Sequence, residues 1–490
     1  MEGAMRRTVS VAVLLLVLCT RPNKAQITSS SINNTAATAE AMNIMFTPPE
    51  LIKIPAESEY VVNWTTTVQE EVHAVEITVT DPGVLKVTGS GPRSWWLVVS
   101  PSSNVTAAGT FNITTLLLGY SNVTLTLYNE KEQIIGNGTM RTSVLNKDQI
   151  LNKIFSASLG VLIGLIYVNM GATINLDVIK EIAKKPIGPV VGLVCQYGGM
   201  PLIAFGLSQV IFSDSPLLQL GMFLSGTCPG GGASNMWTHL LGGRLDLSIM
   251  MTFTSTMFAF ISVPAWVLLL GPLIVDDSNF QIPFVKIVII VVTLVVPCFV
   301  GILIQKFLPK VAAFLKKLLT PFSIFNILYI LTFGLYANRY IFYVIDARII
   351  LAGLALPVIG YLLGIVVSML LRLDRPDVIA ISIETGIQNA AIALFILNAT
   401  LEAPAGQLAA VVPAASVIMT PVPLVIAYIV KTIYGKVQSR RNKGDGTEVA
   451  VERGGNAEKT ANGSSIQMNN SLNKSAGIDN PAADLSDRAI

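Results

Sequence analysis

The chain has 490 residues, of which 52% are hydrophobic and only 13% charged, with mean hydropathy +0.62 and net charge +3. Soluble globular proteins carry about 25% charged residues, whereas residues 154–430 hold only 24 charges in 277 positions, gathered between long apolar runs. A soluble enzyme, a nucleic-acid binder and a disordered scaffold are excluded, and the composition is that of a polytopic membrane protein.

The amino terminus reads as a signal peptide over residues 1–25. Arg6 and Arg7 form a positive lead, Val9 to Leu18 is too short an apolar run to cross a bilayer, and Ala25 suits cleavage before Gln26. Residues 26–150 differ in kind. Short alternating runs (Glu59–Val62, Ala74–Thr80, Trp96–Val99, Thr110–Leu118, Val123–Tyr128) are separated by turn signals such as Asp81-Pro82-Gly83 and Pro101-Ser102-Ser103. About seven short strands at this spacing predict a small antiparallel, β-sandwich-like domain. The four cysteines are Cys19, Cys195, Cys228 and Cys298, so this domain must fold without disulfides, with Trp64 and Trp95 or Trp96 as core fillers. Six sequons, at Asn33, Asn63, Asn104, Asn112, Asn122 and Asn137, mark it as extracellular and glycosylated.

From residue 151 to 435 the chain reads as an all-α membrane domain. A span needs about 20 apolar residues. The runs predict nine: 154–173, 187–209, 216–241, 247–272, 283–305, 321–337, 349–371, 378–398 and 406–430. With the amino terminus outside, the inner segments carry 15 Lys and Arg residues and the loops between spans on the outer side only Arg339 and Arg348. That bias agrees with the positive-inside rule. Lys286 falls at the outer end of the fifth span, where it can snorkel. Residues 436–490 are rich in Gly, Asn, Ser and charge and read as a disordered cytosolic tail, where the sequons at Asn462, Asn469 and Asn473 stay unmodified.

Two spans are abnormal. The third runs into Cys228-Pro229-Gly230-Gly231-Gly232-Ala233-Ser234-Asn235. Pro removes a backbone donor and the three glycines have no helical preference, so the helix must break. Within a bilayer a broken helix is tolerated only beside protein or a watery cavity. The eighth span carries Glu384-Thr385-Gly386-Ile387-Gln388-Asn389, and Glu384 is the sole deep carboxylate of any span. Such a charge needs compensation. Interrupted helices in corresponding positions of two halves point to a binding site. They correspond here if the first half has lost one helix of a five-plus-five inverted repeat. The alternatives are a packing kink at the glycines and, for Glu384, a protonated, hydrogen-bonded side chain or a helix–helix tether.

The donors are oxygens. His239 is the sole membrane histidine and the cysteines lack ligand spacing, so a hard cation fits and a transition metal does not. Ser248, Thr252 and Ser255 share one face of the fourth span, and Gln196 is a lone amide in the second.

These residues resemble the motifs of the bile acid:sodium symporter family over roughly 154–435, and the long outer extension resembles that family's orphan branch. The resemblance implies a panel and a core domain, with the two broken helices crossing in an inverted-repeat core. It implies a first sodium site of Ser234, Asn235, Ser248, Thr252 and Glu384. A second would comprise Gln196, Glu384, Thr385, Ile387 and Gln388, with Thr385 and Ile387 acting through backbone carbonyls. Asn389 would face an organic anion, with Pro229, Gly230, Gly231, Gly232 and Gly386 shaping the break. The expected protein is a sodium-coupled symporter of an amphipathic organic anion, such as a bile acid or steroid sulfate, using alternating access at the plasma membrane. It has no catalytic residues, no cofactor beyond the coupling Na⁺ and no nucleic-acid partner. The alternative is a transport-inactive receptor or scaffold whose outer domain binds a partner. An intramembrane hydrolase lacks its parts, since there is no pair of deep Asp residues.

Overall fold

A computed structural model describes residues 44–68, 72–88, 105–173, 186–274 and 283–435. The expected leader, Asn33, Trp95, Trp96, Asn104, three of the inner lysines (Lys180, Lys184, Lys185) and the tail beyond 435 lie outside the described residues.

The described residues of the first part form eight strands: β1 (Met45–Thr47), β2 (Leu51–Pro55), β3 (Glu59–Val68), β4 (Ala74–Val79), β5 (Leu85–Thr88), β6 (Val105–Thr115), β7 (Gly119–Tyr128) and β8 (Ile134–Leu145). They form two four-stranded sheets, ordered β1-β3-β6-β5 and β2-β8-β7-β4. The period-two pattern of β7 puts Val123, Leu125 and Leu127 inside, where they meet Val62, Trp64, Phe111 and Ile113 of the other sheet. Trp64 is a core filler, as expected. Its register partner is Gly109, where a Cβ would come within 2.8 Å of the indole Nε1. One expectation needs correction. The sheets are not wholly antiparallel, because β2 pairs with β8 in parallel. The sequons among the described strands, Asn63, Asn112, Asn122 and Asn137, are all exposed.

The second part is helical: α1 (Gln149–Thr173), α2 (Ile187–Ile211), α3 (Pro216–Thr227), α4 (Ala233–Leu241), α5 (Leu245–Leu270), α6 (Phe284–Phe307), α7 (Pro309–Tyr329), α8 (Ala347–Leu370), α9 (Arg375–Gly386), α10 (Ala390–Thr400) and α11 (Ala405–Gly435). Among the described residues six helices are long and apolar enough to cross a membrane, against the nine spans expected. The difference has a physical reason. Two of the other three are the broken spans, α3 with α4 and α9 with α10. The third, 321–337, begins in the second half of α7 and runs on through a π-helical turn, Ile330–Gly334, and a short helix, Leu335–Ala337.

Small residues let helix backbones approach closely. A Cβ on Gly364 of α8 would come 2.5 Å from Ser382 Cα of α9, and one on Gly301 of α6 would overlap the Val168 carbonyl of α1. On the side of the strands, α10 is sealed in. Ile392, Ile396 and Leu397 share one apolar cluster with Phe155, Leu159 and Ile163 of α1 and with Ile287 and Val291 of α6. The clusters around α4 and α9, centred on Trp237, Tyr361 and Ile383 and on Leu247, Met251 and Ile381, contain no residue of α1 or α6. Lys286, expected to snorkel, donates to the Thr400 carbonyl at the end of α10 at 3.0 Å.

Candidate functional site

The site is assembled where the two broken helices cross. Helix α3 stops at Cys228, whose backbone is extended (φ −68, ψ 156), and α4 restarts at Ala233. Helix α9 stops at Gly386, Ile387 is extended (φ −88, ψ 101), and α10 restarts at Ala390. Helix ends leave backbone groups without partners. Here the two breaks satisfy each other: Gly231 N donates to the Ile387 carbonyl at 2.8 Å, and Asn389 N donates to the Pro229 carbonyl at 2.9 Å. Gly230 and Gln388 form an antiparallel bridge between them.

The glycines are needed for closeness. A Cβ on Gly230 would overlap Glu384 Oε1, and one on Gly386 would overlap the Tyr361 ring. A Cβ on Gly231 would lie 3.0 Å from the Gln388 carbonyl oxygen. Gly232 differs, since nothing lies within 4 Å of its Cβ position.

Glu384 is 2% exposed. Its Oε2 accepts from Ser248 Oγ at 3.3 Å, and Ser234 and Thr252 lie beside the carboxylate. Ser234 Oγ and Thr252 Oγ1 are 3.4 Å apart, and Thr252 Oγ1 donates to the Ser248 carbonyl at 3.0 Å. Four members of the first expected ligand set are thus in one cluster drawn from α4, α5 and α9. Asn235 adjoins it in sequence, and its buried Oδ1 receives no hydrogen bond.

On the other flank Gln196 sits in a π-helical turn, Cys195–Gly199, inside α2. Such π-turns recur at functional sites. Gln196 Nε2 donates to the Cys228 carbonyl at 2.7 Å and to Gln388 Oε1 at 2.6 Å. Gln388 Nε2 donates to the Thr385 carbonyl at 2.8 Å. The Thr385 and Ile387 carbonyls therefore each accept one hydrogen bond and keep one lone pair. Asn389 is half-buried at the crossing.

Three buried oxygens at or beside this cluster, Glu384 Oε1, Gln196 Oε1 and Asn235 Oδ1, have no hydrogen-bond donor. Buried polar atoms rarely stay unpaired. Oxygens without donors, beside a carboxylate, make a site for a hard cation. Two participants escaped sequence reading. Tyr361 of α8 packs on Gly386 and donates to the Thr420 carbonyl at 3.0 Å, and Thr238 of α4 donates to Ser248 Oγ at 3.3 Å. Only the spacing of Thr238, one turn after Ser234, could have signalled it.

The family model for the Sodium Bile acid symporter family matches residues 160–345, which take in the first broken helix and end before the second. The P3 protein of Homo sapiens is 33% identical over 244 residues, 49% of this chain and 51% of that protein. The human ileal sodium/bile acid cotransporter is 32% identical over 246 residues, 50% of this chain and 70% of that protein. An uncharacterized sodium-dependent transporter of Bacillus subtilis, YocS, is 32% identical over 236 residues, 48% of this chain and 71% of that protein. The chain spans about half the length of the P3 proteins it matches.

Proposed function

The chain belongs to the sodium bile acid symporter family, and on that premise we propose that it couples inward Na⁺ flow to uptake of an amphipathic organic anion. The observation that carries this reading is the set of donorless buried oxygens around Glu384. A lone buried carboxylate is costly, and a bound cation offsets it. Oxygen spacing supports a cation as well. Cation–oxygen distances of about 2.4 Å put neighbouring ligands of an octahedron about 3.4 Å apart. The Ser248–Glu384 and Ser234–Thr252 oxygens are 3.3 and 3.4 Å apart, near that spacing.

In this reading Ser234, Asn235, Ser248, Thr252 and Glu384 hold one Na⁺, and Gln196, Glu384, Thr385, Ile387 and Gln388 hold a second. Two cations on one carboxylate leave a positive balance, which an anionic substrate beside Asn389 neutralises. The restarting ends of α4 and α10 add positive helix dipole there. Uneven packing supports a transport cycle of alternating access. Helix α10 is sealed against α1 and α6, while α4 has no apolar cluster in common with them. That arrangement supports a state closed on the strand side and open on the other. The strand region is extracellular and carries glycans on Asn63, Asn112, Asn122 and Asn137, at the plasma membrane.

Radiotracer uptake of taurocholate and of a steroid sulfate, in Na⁺ and in choline, tests the proposal in cells displaying the chain. Na⁺-dependent accumulation of either is the expected result. Surface protein that moves neither anion, and that Na⁺ does not stabilise against heat, would leave the receptor reading standing instead.

A further inference from the structure

Thr238 lies outside both ligand sets, yet its side chain is fully buried and turned toward the site. It stands on α4 one turn beyond Ser234. Its methyl group is clamped, since the Cβ position of Gly243 lies 2.7 Å from Thr238 Cγ2, and Gly243 N donates to the Thr238 carbonyl at 2.8 Å. The hydroxyl donates to Ser248 Oγ at 3.3 Å, and Ser248 Oγ donates onward to Glu384 Oε2 at 3.3 Å.

Ser248 behaves unlike the four hydroxyls that follow it along α5, Thr252 to Thr256. Thr252, Thr254, Ser255 and Thr256 each donate to a backbone carbonyl three or four residues back. That back-bonding is the ordinary resting place of a hydroxyl on a helix. Ser248 could do the same with the Arg244 carbonyl, but its proton crosses to α9 instead. It also receives a donor from α4, the Thr238 hydroxyl. A serine oxygen has one proton and two lone pairs. Thr238 occupies one lone pair, Glu384 takes the proton, and one lone pair is left over.

We infer that Thr238 is a positioning residue for the cation cluster, holding Ser248 turned toward Glu384 so that one Ser248 lone pair is kept for Na⁺. The inference rests on the sodium reading above. A merely structural role would be satisfaction of a buried hydroxyl, with no bearing on the ion. Val has the shape of Thr without the donor, and Ser keeps the donor without the methyl, so the two substitutions separate these roles.

The test is thermal unfolding of the purified full chain in detergent, titrated with NaCl against choline chloride at constant ionic strength. Thr238→Val should melt like wild type without Na⁺ but need about tenfold more Na⁺ for half its stabilisation, the usual size for a residue behind a metal ligand. Thr238→Ser should stay near wild type. In a Ser248→Ala background, adding Thr238→Val should change the residual Na⁺ response no further, because the partner is gone. An unshifted Na⁺ midpoint in Thr238→Val, or an undiminished effect without Ser248, overturns the inference while leaving the sodium site intact. A wild-type chain that Na⁺ stabilises no better than choline overturns the sodium reading, and this inference with it.

Discussion

The carboxylate of Glu384 rests directly against the backbone of Gly230, so closely that a methyl group on Gly230 would overlap Oε1. The residue that brings charge to the crossing and the residue that has no side chain there are two halves of one requirement. The break in α3 must come close to Glu384 to line the proposed cation site, and a side chain would hold it off.

The glycine run therefore divides unequally. Gly230→Ala should push the carboxylate away and weaken Na⁺ stabilisation of the purified protein more than tenfold, with a cost in stability of about 1–3 kcal/mol from overpacking. Gly231→Val should strain the crossing against Gln388. Gly232→Ala should be close to neutral in both respects. Equal damage from all three substitutions in Na⁺-titrated melting curves would mean that backbone flexibility, not approach, is what the run supplies.

Removing the charge should be more severe than removing a ligand. Glu384→Gln keeps shape and one oxygen but takes away the charge shared by both proposed cations, so Na⁺-dependent stabilisation should vanish. Gln388→Ala touches one flank only. A hydrogen bond or ligand to a charged group is worth about 1.5–3 kcal/mol, which sets the expected rise in half-saturating Na⁺ at roughly tenfold or more. Surface-normalised uptake or Na⁺ titration of thermal unfolding reads both. A Glu384→Gln chain with wild-type Na⁺ dependence would remove the residue from the ion site.

Cys228 is fully buried, and its carbonyl, not its thiol, contacts the site through Gln196. Cys228→Ala should keep the Na⁺ midpoint within about twofold and lose only packing, about 1–2 kcal/mol, the scale of one or two buried methylenes with a small cavity. Loss of the Na⁺ response in a folded Cys228→Ala chain would show that the thiol is part of the site.

The breaks at Pro229–Gly232 and Gly386–Asn389 were legible because proline, glycine and a lone carboxylate are each costly in a membrane helix, and their coincidence has few other uses. The cluster of Ser234, Ser248, Thr252 and Glu384 came from the same reasoning joined to a family resemblance. What could not be read was whatever depends on tertiary approach. Gly386 facing the Tyr361 ring and Thr238 reaching Ser248 are contacts between elements far apart in sequence, and an ordinary Tyr or Thr carries no local mark of them. The strands were legible from alternation, but the parallel β2–β8 pair was not, since alternation fixes which face is buried and not which neighbour is chosen.

The last prediction concerns how the strand region is held to the helices. An ion pair and an apolar contact are two of the contacts that join them. Lys53 of β2 and Glu402, just after α10, form an ion pair 2.7 Å long, with side chains 55% and 79% exposed. Leu118, between β6 and β7, is 3% exposed and packs into the same apolar cluster as α10. Proximity of opposite charges favours the ion pair as the fastener, but exposed pairs contribute only about 0–1 kcal/mol and are screened by salt. A buried leucine cut back to alanine costs about 2–5 kcal/mol. Leu118→Ala should therefore loosen the junction, and Lys53→Ala should not. Hydrogen exchange measured by mass spectrometry over residues 396–409 reads the difference at the end of α10, where Thr400 also accepts from Lys286. Leu118→Ala should speed exchange there at any salt, whereas Lys53→Ala should alter it less than twofold, and less again in 0.5 M salt. If Lys53→Ala opened this segment while Leu118→Ala left it protected, the junction would be electrostatic and the apolar seal incidental.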